Sequence, residues 1–144
     1  MKYLLDTCVI SELIKKIPEQ KVMVWIDSQD ELDLYLSVIT FGEIQKGISR
    51  LDDQVKKQKI QFWLEELKER FYGRILGLDL DTLLIWGKTT GKLSKNGLGV
   101  PSIDALLAAT ATQHKLCLVT RNTDDFKHCE MQLFNPWIKK TQIP

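Results

Sequence analysis

Five short apolar runs punctuate this chain, and most are separated from the next by one or two helical patterns. They are Lys2 to Leu5, Leu34 to Ile39, Arg74 to Leu80, Leu116 to Thr120 and Met131 to Phe134. Each is short and has polar or turn-forming residues beside it, so each is expected to be a strand. Between them lie helical patterns at Val9 to Ile17, Glu19 to Asp27, Phe41 to Arg50, Gln54 to Phe71, Asp81 to Lys92 and Ser102 to Gln113. The clearest is Gln54 to Phe71. There Ile60, Trp63, Leu64, Leu67 and Phe71 follow a helical period, while Lys56, Lys57, Lys59, Glu65, Glu66 and Lys68 fill the other faces. The last helix follows Pro101, with Ser102 as the expected N-cap. Lys92 to Gly99 is the one obvious loop. Strands alternating with helices specify an α/β domain with a mostly parallel sheet of about four to five strands. With 144 residues, 1–144 is expected to form a single domain.

The formal net charge is +1, too little for a nucleic-acid binder that works by charge alone. Any positive charge that meets a phosphate must therefore be local or be supplied by a bound cation. The three cysteines, Cys8, Cys117 and Cys129, are an odd number, and Asp6 interrupts the apolar start before a secretory signal can form. Free thiols and a cytoplasmic location are expected. No apolar run approaches the length needed to span a bilayer.

In an open parallel sheet, ligands meet the carboxyl ends of the strands. Asp6 follows the first strand. Thr40 and Glu43 follow the second. Thr120, Asn122, Asp124 and Asp125 follow the run from Leu116, and Asp104 lies in the first turn of the helix leading into it. Taken singly, each acid has an ordinary explanation. Asp6 can simply end a strand, Glu43 can be a solvated face residue, and Asp124 and Asp125 can be turn formers. Asp104 at a helix start is favoured by the helix dipole by roughly 0.3–1 kcal/mol. Jointly they are harder to dismiss, because no Lys or Arg in these segments is obviously placed to pair with each of them. Two carboxylates about 4 Å apart repel by roughly 4 kcal/mol at an effective dielectric near 20. Such a group must take up protons or a cation, and all-oxygen ligation suits Mg²⁺ or Mn²⁺ and not zinc. A divalent ion can polarise a phosphoryl oxygen, activate a water and steady a leaving oxygen.

The stretches LLDTCVISEL, SVITFGEIQKGI, VPSIDALLAATA and LVTRNTDDF together resemble a PIN domain. More narrowly they are similar to VapC-type toxins of type II toxin–antitoxin systems, and the closing FNPW points to the FitB-like branch. The resemblance covers nearly the whole chain. It implies a three-layer α/β/α fold and a Mg²⁺- or Mn²⁺-dependent endoribonuclease acting on tRNA or other structured RNA. By motif match it makes Asp6 and Asp104 the principal metal ligands, with Glu43 and Asp125 completing the acidic cluster and Asp124 as the alternative inward acid. Thr120 and Asn122 match the family's polar positions after the fourth strand. Thr7 and Thr40 lie near the same edge as candidate hydrogen-bonding groups, and Lys46 and Arg121 are candidate phosphate contacts. The family also implies a homodimer and a small cognate antitoxin whose tail covers the site. Trp25, Phe62, Trp63 and Trp137 are the apolar candidates for such a surface, although most large aromatics at helical spacing pack inward. One departure is visible: family members often carry Asn two residues after the first Asp, where this chain has Cys8.

Competing readings are weaker. A receiver domain needs an acidic pair and a Lys after its last strand, and here a single Asp ends the first strand and FNPW follows the last. A haloacid-dehalogenase-like phosphatase needs Asp-x-Asp, but Asp6 is followed by Thr7 and Cys8. A zinc module built on His114 and Cys117, or His128 and Cys129, lacks a second matching pair. Gly97-Leu98-Gly99 is no dinucleotide loop, because no strand leads into it. A non-catalytic PIN-like domain is the remaining alternative, and the intact acid set argues against it.

Overall fold

The protein is described from a computed structural model in which residues 1–138 are placed. The elements run in the order β1 Tyr3–Leu5, α1 Thr7–Ser11, α2 Gln20–Ser28, β2 Leu34–Ser37, α3 Val38–Ser49, α4 Gln54–Arg70, β3 Ile75–Leu76, α5 Leu80–Lys95, α6 Ser102–His114, β4 Cys117–Val119 and β5 Leu133–Phe134. Three 3-10 turns join them, at Glu12–Ile14, Glu31–Asp33 and Thr123–Phe126. All five strands are parallel, in the order β3-β2-β1-β4-β5. This is the expected α/β architecture.

The strands read as unbroken apolar runs because both faces of the sheet are covered. On β1, Leu5 joins a core with Val9, Val22, Ile44, Ile48, Leu64 and Leu67 from helices α1 to α4. Its neighbour Leu4 points the other way, into a core with Leu107, Ala108 and Ala111 of α6 and with Phe126. Both leucines are fully buried, each worth roughly 1.5–3 kcal/mol relative to exposure. The period-two alternation of a strand thus sets out the two outer layers.

The boundaries differ from the sequence expectation in several places, each with a physical cause. The second strand stops at Ser37 rather than Ile39, because the Ser37 hydroxyl accepts from the Ile39 N–H and starts α3 there. The helix expected over Val9 to Ile17 lasts only to Ser11 and then tightens into the 3-10 turn at Glu12–Ile14. The buried Glu12 carboxylate accepts from the Glu19 N–H at 3.0 Å, which folds the intervening chain back across it. The third strand shrinks to Ile75–Leu76, since Asp79 and Thr82 form a capping box that begins α5. That helix continues to Lys95, into the stretch expected to be a loop. Ser102 is not the cap of α6: Pro101 holds that position, without a side-chain hydrogen bond, and Ser102 is the first helical residue. Trp25, Trp63 and Trp137 pack partly buried against the first core, whereas Phe62 is exposed.

Candidate functional site

β1 is flanked by β2 and β4, so the residue leaving its carboxyl end sits at the middle of the sheet edge. That residue is Asp6. Its backbone N–H donates to the Val119 carbonyl at 2.9 Å, continuing the ladder one residue beyond the strand. Its extended backbone makes it the N-cap of α1, where Oδ1 accepts from the Thr7 N–H at 2.7 Å. Oδ2 accepts from the Thr120 hydroxyl at 2.8 Å. Thr120, fully buried just past β4, also accepts from the Asn122 N–H at 3.0 Å. The Asp6 side chain is therefore fixed by two elements, and each oxygen retains accepting capacity.

The second side of the edge is built by α3. Because Ser37 starts that helix early, Thr40 and Glu43 lie on the turns beside α1. The Thr7 hydroxyl donates to the Glu43 carboxylate and stands 3.1 Å from the Thr40 hydroxyl. One proton cannot serve both, and the carboxylate is the stronger acceptor, so the Thr40 hydroxyl donates to Thr7. Thr40 is fully buried and Glu43 exposed.

The third side is the first turn of α6 together with the 3-10 turn at Thr123–Phe126, whose fully buried Phe126 anchors it in the second core. Asp104 is partly buried there. Its carboxyl is pushed up to about 6, first by burial and then by the charges of Asp6, Asp125 and Glu43. Asp6 is likewise raised, first by burial; the hydrogen bonds from Thr120 and Thr7 oppose this, and the charge of Glu43 adds to it. Asp125, and not its neighbour Asp124, is thus the acid of that turn whose charge acts on Asp104. Among the described residues, no ion pair within 4 Å joins Asp6, Glu43, Asp104 or Asp125 to a Lys or Arg. Nor do three ligating side chains close on one point as in a finished coordination shell.

The remaining candidates are dispersed. Lys46 is exposed on α3. Arg121 is exposed and lies over the Trp137 ring, 5.4 Å from its centroid. Asn122 enters through its backbone N–H. Cys8 is closer to the site than a simple filler. Its thiol stands 3.9 Å from the Thr120 hydroxyl, and its hydrogen bonding favours the Asp6 carboxylate. The sequence signal for this was its spacing, two residues after Asp6. The three cysteines are free, and no helix among the described residues is long and apolar enough to cross a membrane.

Comparison with known proteins agrees with this fold. The family model described as PIN domain matches residues 3–130. The toxin FitB of Neisseria gonorrhoeae is 37% identical over 135 residues, covering 93% of this chain and 97% of that protein. The VapC ribonuclease Y4jK of Sinorhizobium fredii is 35% identical, covering 92% of this chain and 96% of that one. Among solved structures, FitAB bound to an IR36 DNA fragment superposes with a TM-score of 0.91 at 34% identity, over 98% of this chain and 99% of that one. FitAcB from Neisseria gonorrhoeae gives 0.89 at 37% identity, over 94% and 98%. A strand-end acid held at the centre of a five-stranded parallel sheet, and relatives this close along nearly the full length, lead to one conclusion: the chain belongs to the PIN-domain family.

Proposed function

We propose that this protein is a Mg²⁺- or Mn²⁺-dependent endoribonuclease and the toxin half of a type II toxin–antitoxin pair. The observation that carries the proposal is the gathering of Asp104 with the carboxylates of Asp6, Glu43 and Asp125, from β1, α3 and the turn after β4; burial first and then their charges raise the Asp104 carboxyl. Four acids brought to one sheet edge, with no cationic partner among the described residues, are a charge arrangement that a divalent cation relieves. Their donors are all oxygen, and the residues fit Mg²⁺ or Mn²⁺.

Asp6 and Asp104 would hold the ion, with Glu43 and Asp125 completing the acidic ring. When bound, the ion supplies Lewis-acid stabilisation of a phosphodiester and lowers the pKa of a water. The chain's own residues do the rest. Thr120 and the Thr7 N–H hold the Asp6 carboxylate in one orientation, so that its free lone pairs face the edge. Thr7 does the same for Glu43. Asp104, whose carboxyl is raised to about 6 in the metal-free protein, must give up that proton to ligate an ion, so metal binding should tighten as pH rises through that range. Lys46 and Arg121 lie on exposed positions flanking these segments, where they can meet phosphate.

The toxin assignment is supported by the names of the relatives, a FitB toxin and VapC ribonucleases, and by solved FitAB and VapBC toxin–antitoxin complexes. A cognate antitoxin, a homodimer and a structured RNA substrate such as tRNA complete the proposal. The test is cleavage of RNA by the purified chain with Mg²⁺ or Mn²⁺. Cleavage should stop with EDTA and return when the ion is restored. Cleavage that persists in EDTA overturns the metal assignment, and no cleavage of any RNA overturns the nuclease.

A further inference from the structure

Helix α5 has two faces, and the functional proposal uses neither. It lies against α6, where the Thr82 hydroxyl is hydrogen-bonded to Gln113. Thr82 and Leu93 are buried on this side, and Trp86 and Thr89 partly so. With 3.6 residues per turn, the opposite row is Leu80, Leu84, Gly87 and Gly91, two positions out of step with the buried one. A surface helix ordinarily turns charged and polar side chains outward along such a row. This row has none. Leu80 is 74% exposed and Leu84 61%, and both glycines are exposed. A methyl group added at either glycine would meet nothing within 4 Å. Glycine weakens a helix interior, and a close approach of another backbone is a use that offsets the loss. Exposed leucines in one continuous row mark a surface for another protein.

The row itself selects the partner. Its spacing of four, three and four residues is that of a helix pair packed along one seam. Its first half is bulky and its second half is flat. A second copy of α5, turned about a two-fold axis to run antiparallel, would set Leu80 over Gly91 of the partner subunit and Leu84 over Gly87 of the partner subunit. The same contacts recur with the roles exchanged, as a two-fold interface requires. Charge agrees with shape. Asp81 and Lys88 flank the row on one side, and among the described residues neither makes an ion pair within 4 Å. The register that sets leucine over glycine also brings Asp81 beside Lys88 of the partner subunit, twice in the dimer. A parallel pairing would oppose leucine to leucine and like charge to like charge. Antiparallel helices also align their dipoles favourably. We infer that the face of α5 carrying Leu80, Leu84, Gly87 and Gly91 is the seam of a homodimer, and that its occupant is the antiparallel α5 of a second copy of this chain. The inference rests on the homodimer in the functional proposal and gives it a surface, an orientation and a register.

The test is sedimentation velocity over a concentration series, with circular dichroism of each variant at the lowest concentration. The wild-type chain should sediment as a dimer. Gly87→Leu should weaken dimerisation at least about thirtyfold, the scale of a residue central to an interface, because its side chain fills the flat half of the seam. Leucine is the better helix former, so the helical signal should not fall, and misfolding cannot account for the loss. Leu84→Glu should be monomeric as well. Asp81→Lys and Lys88→Glu should each weaken the dimer about tenfold by opposing like charges. An equimolar mixture of those two variants should dimerise as tightly as wild type, since each altered charge then meets its opposite. A dimer undiminished in Gly87→Leu and Leu84→Glu lies on another face and overturns the seam, leaving this row to a different partner. Single charge reversals without effect overturn the antiparallel register. A wild-type chain that stays monomeric at every concentration removes the homodimer itself. RNA cleavage by the wild-type chain, assayed alongside, reports separately on the nuclease.

Discussion

Glu12 and Asp104 are both acids withdrawn from solvent in the same small domain, and they are treated in opposite ways. Glu12 is only 2% exposed. Burial alone pushes its carboxyl up, but the Lys15 ammonium at 2.6 Å and the Glu19 N–H at 3.0 Å outweigh burial and hold it below the usual range. Asp104 is less buried, yet it is raised to about 6, first by burial and then by the charges of Asp6, Asp125 and Glu43, with no donor or cation among the described residues to oppose them. A carboxylate that serves the fold is given donors and a cation from its own neighbourhood. A carboxylate at the sheet edge is given more carboxylates. That contrast separates a structural acid from a candidate ligand without reference to any relative.

The largest expected effect breaks the pair apart. Asp6→Asn or Asp104→Asn should lower RNA cleavage at least about a thousandfold, as removal of an essential catalytic group commonly does. Neither should lower the melting temperature of the metal-free protein by more than a degree or two, since the lost charge was repelled by its neighbours. Glu12→Gln should do the reverse. Cleavage should stay within severalfold of wild type while stability falls by roughly 1–3 kcal/mol, the range for a charged hydrogen bond lost from a buried site. Rates and thermal melts on the three variants decide it. An inactive Glu12→Gln with normal stability would remove the distinction.

A smaller effect is expected where structural support meets the site. Thr120→Val keeps the shape of a fully buried side chain but removes the donor to Asp6 and the acceptor for the Asn122 N–H. Supporting groups of this kind typically contribute 10–100-fold, so cleavage should fall by about that factor, with a raised requirement for metal. A metal titration of the initial rate reads both quantities.

The two acids should also give pH dependences of opposite sign. The folded pKa of Asp104, about 6, lies above its ordinary 3.8, so folding favours its protonated form. Its favourable contribution is complete below about pH 3.8 and is lost as pH rises through 6. In EDTA, Asp104→Asn should therefore gain stability relative to wild type between pH 4 and 7. Glu12 is held below 4.5, so its contribution is present above that value and is lost as pH falls through the folded one. Glu12→Gln should lose ground relative to wild type as pH rises towards about 4.5 and keep a constant deficit above it. Parallel curves for the two variants would mean that the local charge environments are not as described.

The acids themselves were legible in the sequence because strand-end positions can be counted along a chain. Asp6, Glu43 and Asp104 each follow or precede a recognisable element, and the alternation of elements specified a parallel sheet. What could not be counted was phase. Ser37 moves the start of α3 back into the apparent strand, and only then do Thr40 and Glu43 face Thr7. Asp124 and Asp125 are indistinguishable as a pair of adjacent acids; the choice depends on the 3-10 turn and its anchor Phe126, which is a matter of packing. Glu12 escaped notice because its partners are a lysine three residues on and a backbone N–H seven residues on.

The smallest effect concerns Cys8, two residues after Asp6. Its thiol lies 3.9 Å from the Thr120 hydroxyl beside Asp6. A thiol is a weak donor, whereas a carboxamide supplies two strong ones. Cys8→Asn should therefore add a hydrogen bond to the Asp6 carboxylate, lower its pKa and tighten metal binding by a few-fold. The thiol's own pKa is raised by burial and then by the charge of Asp6, so it stays protonated and inert at neutral pH. Cys8→Ser should consequently change little, and Cys8→Ala should weaken metal binding slightly. Isothermal titration with Mn²⁺ resolves the order Asn, then Cys and Ser together, then Ala. If Cys8→Asn binds the ion more weakly than the wild-type chain, the side chain at this position acts by its volume and not by its proton, and Thr120 and the Thr7 N–H alone orient Asp6.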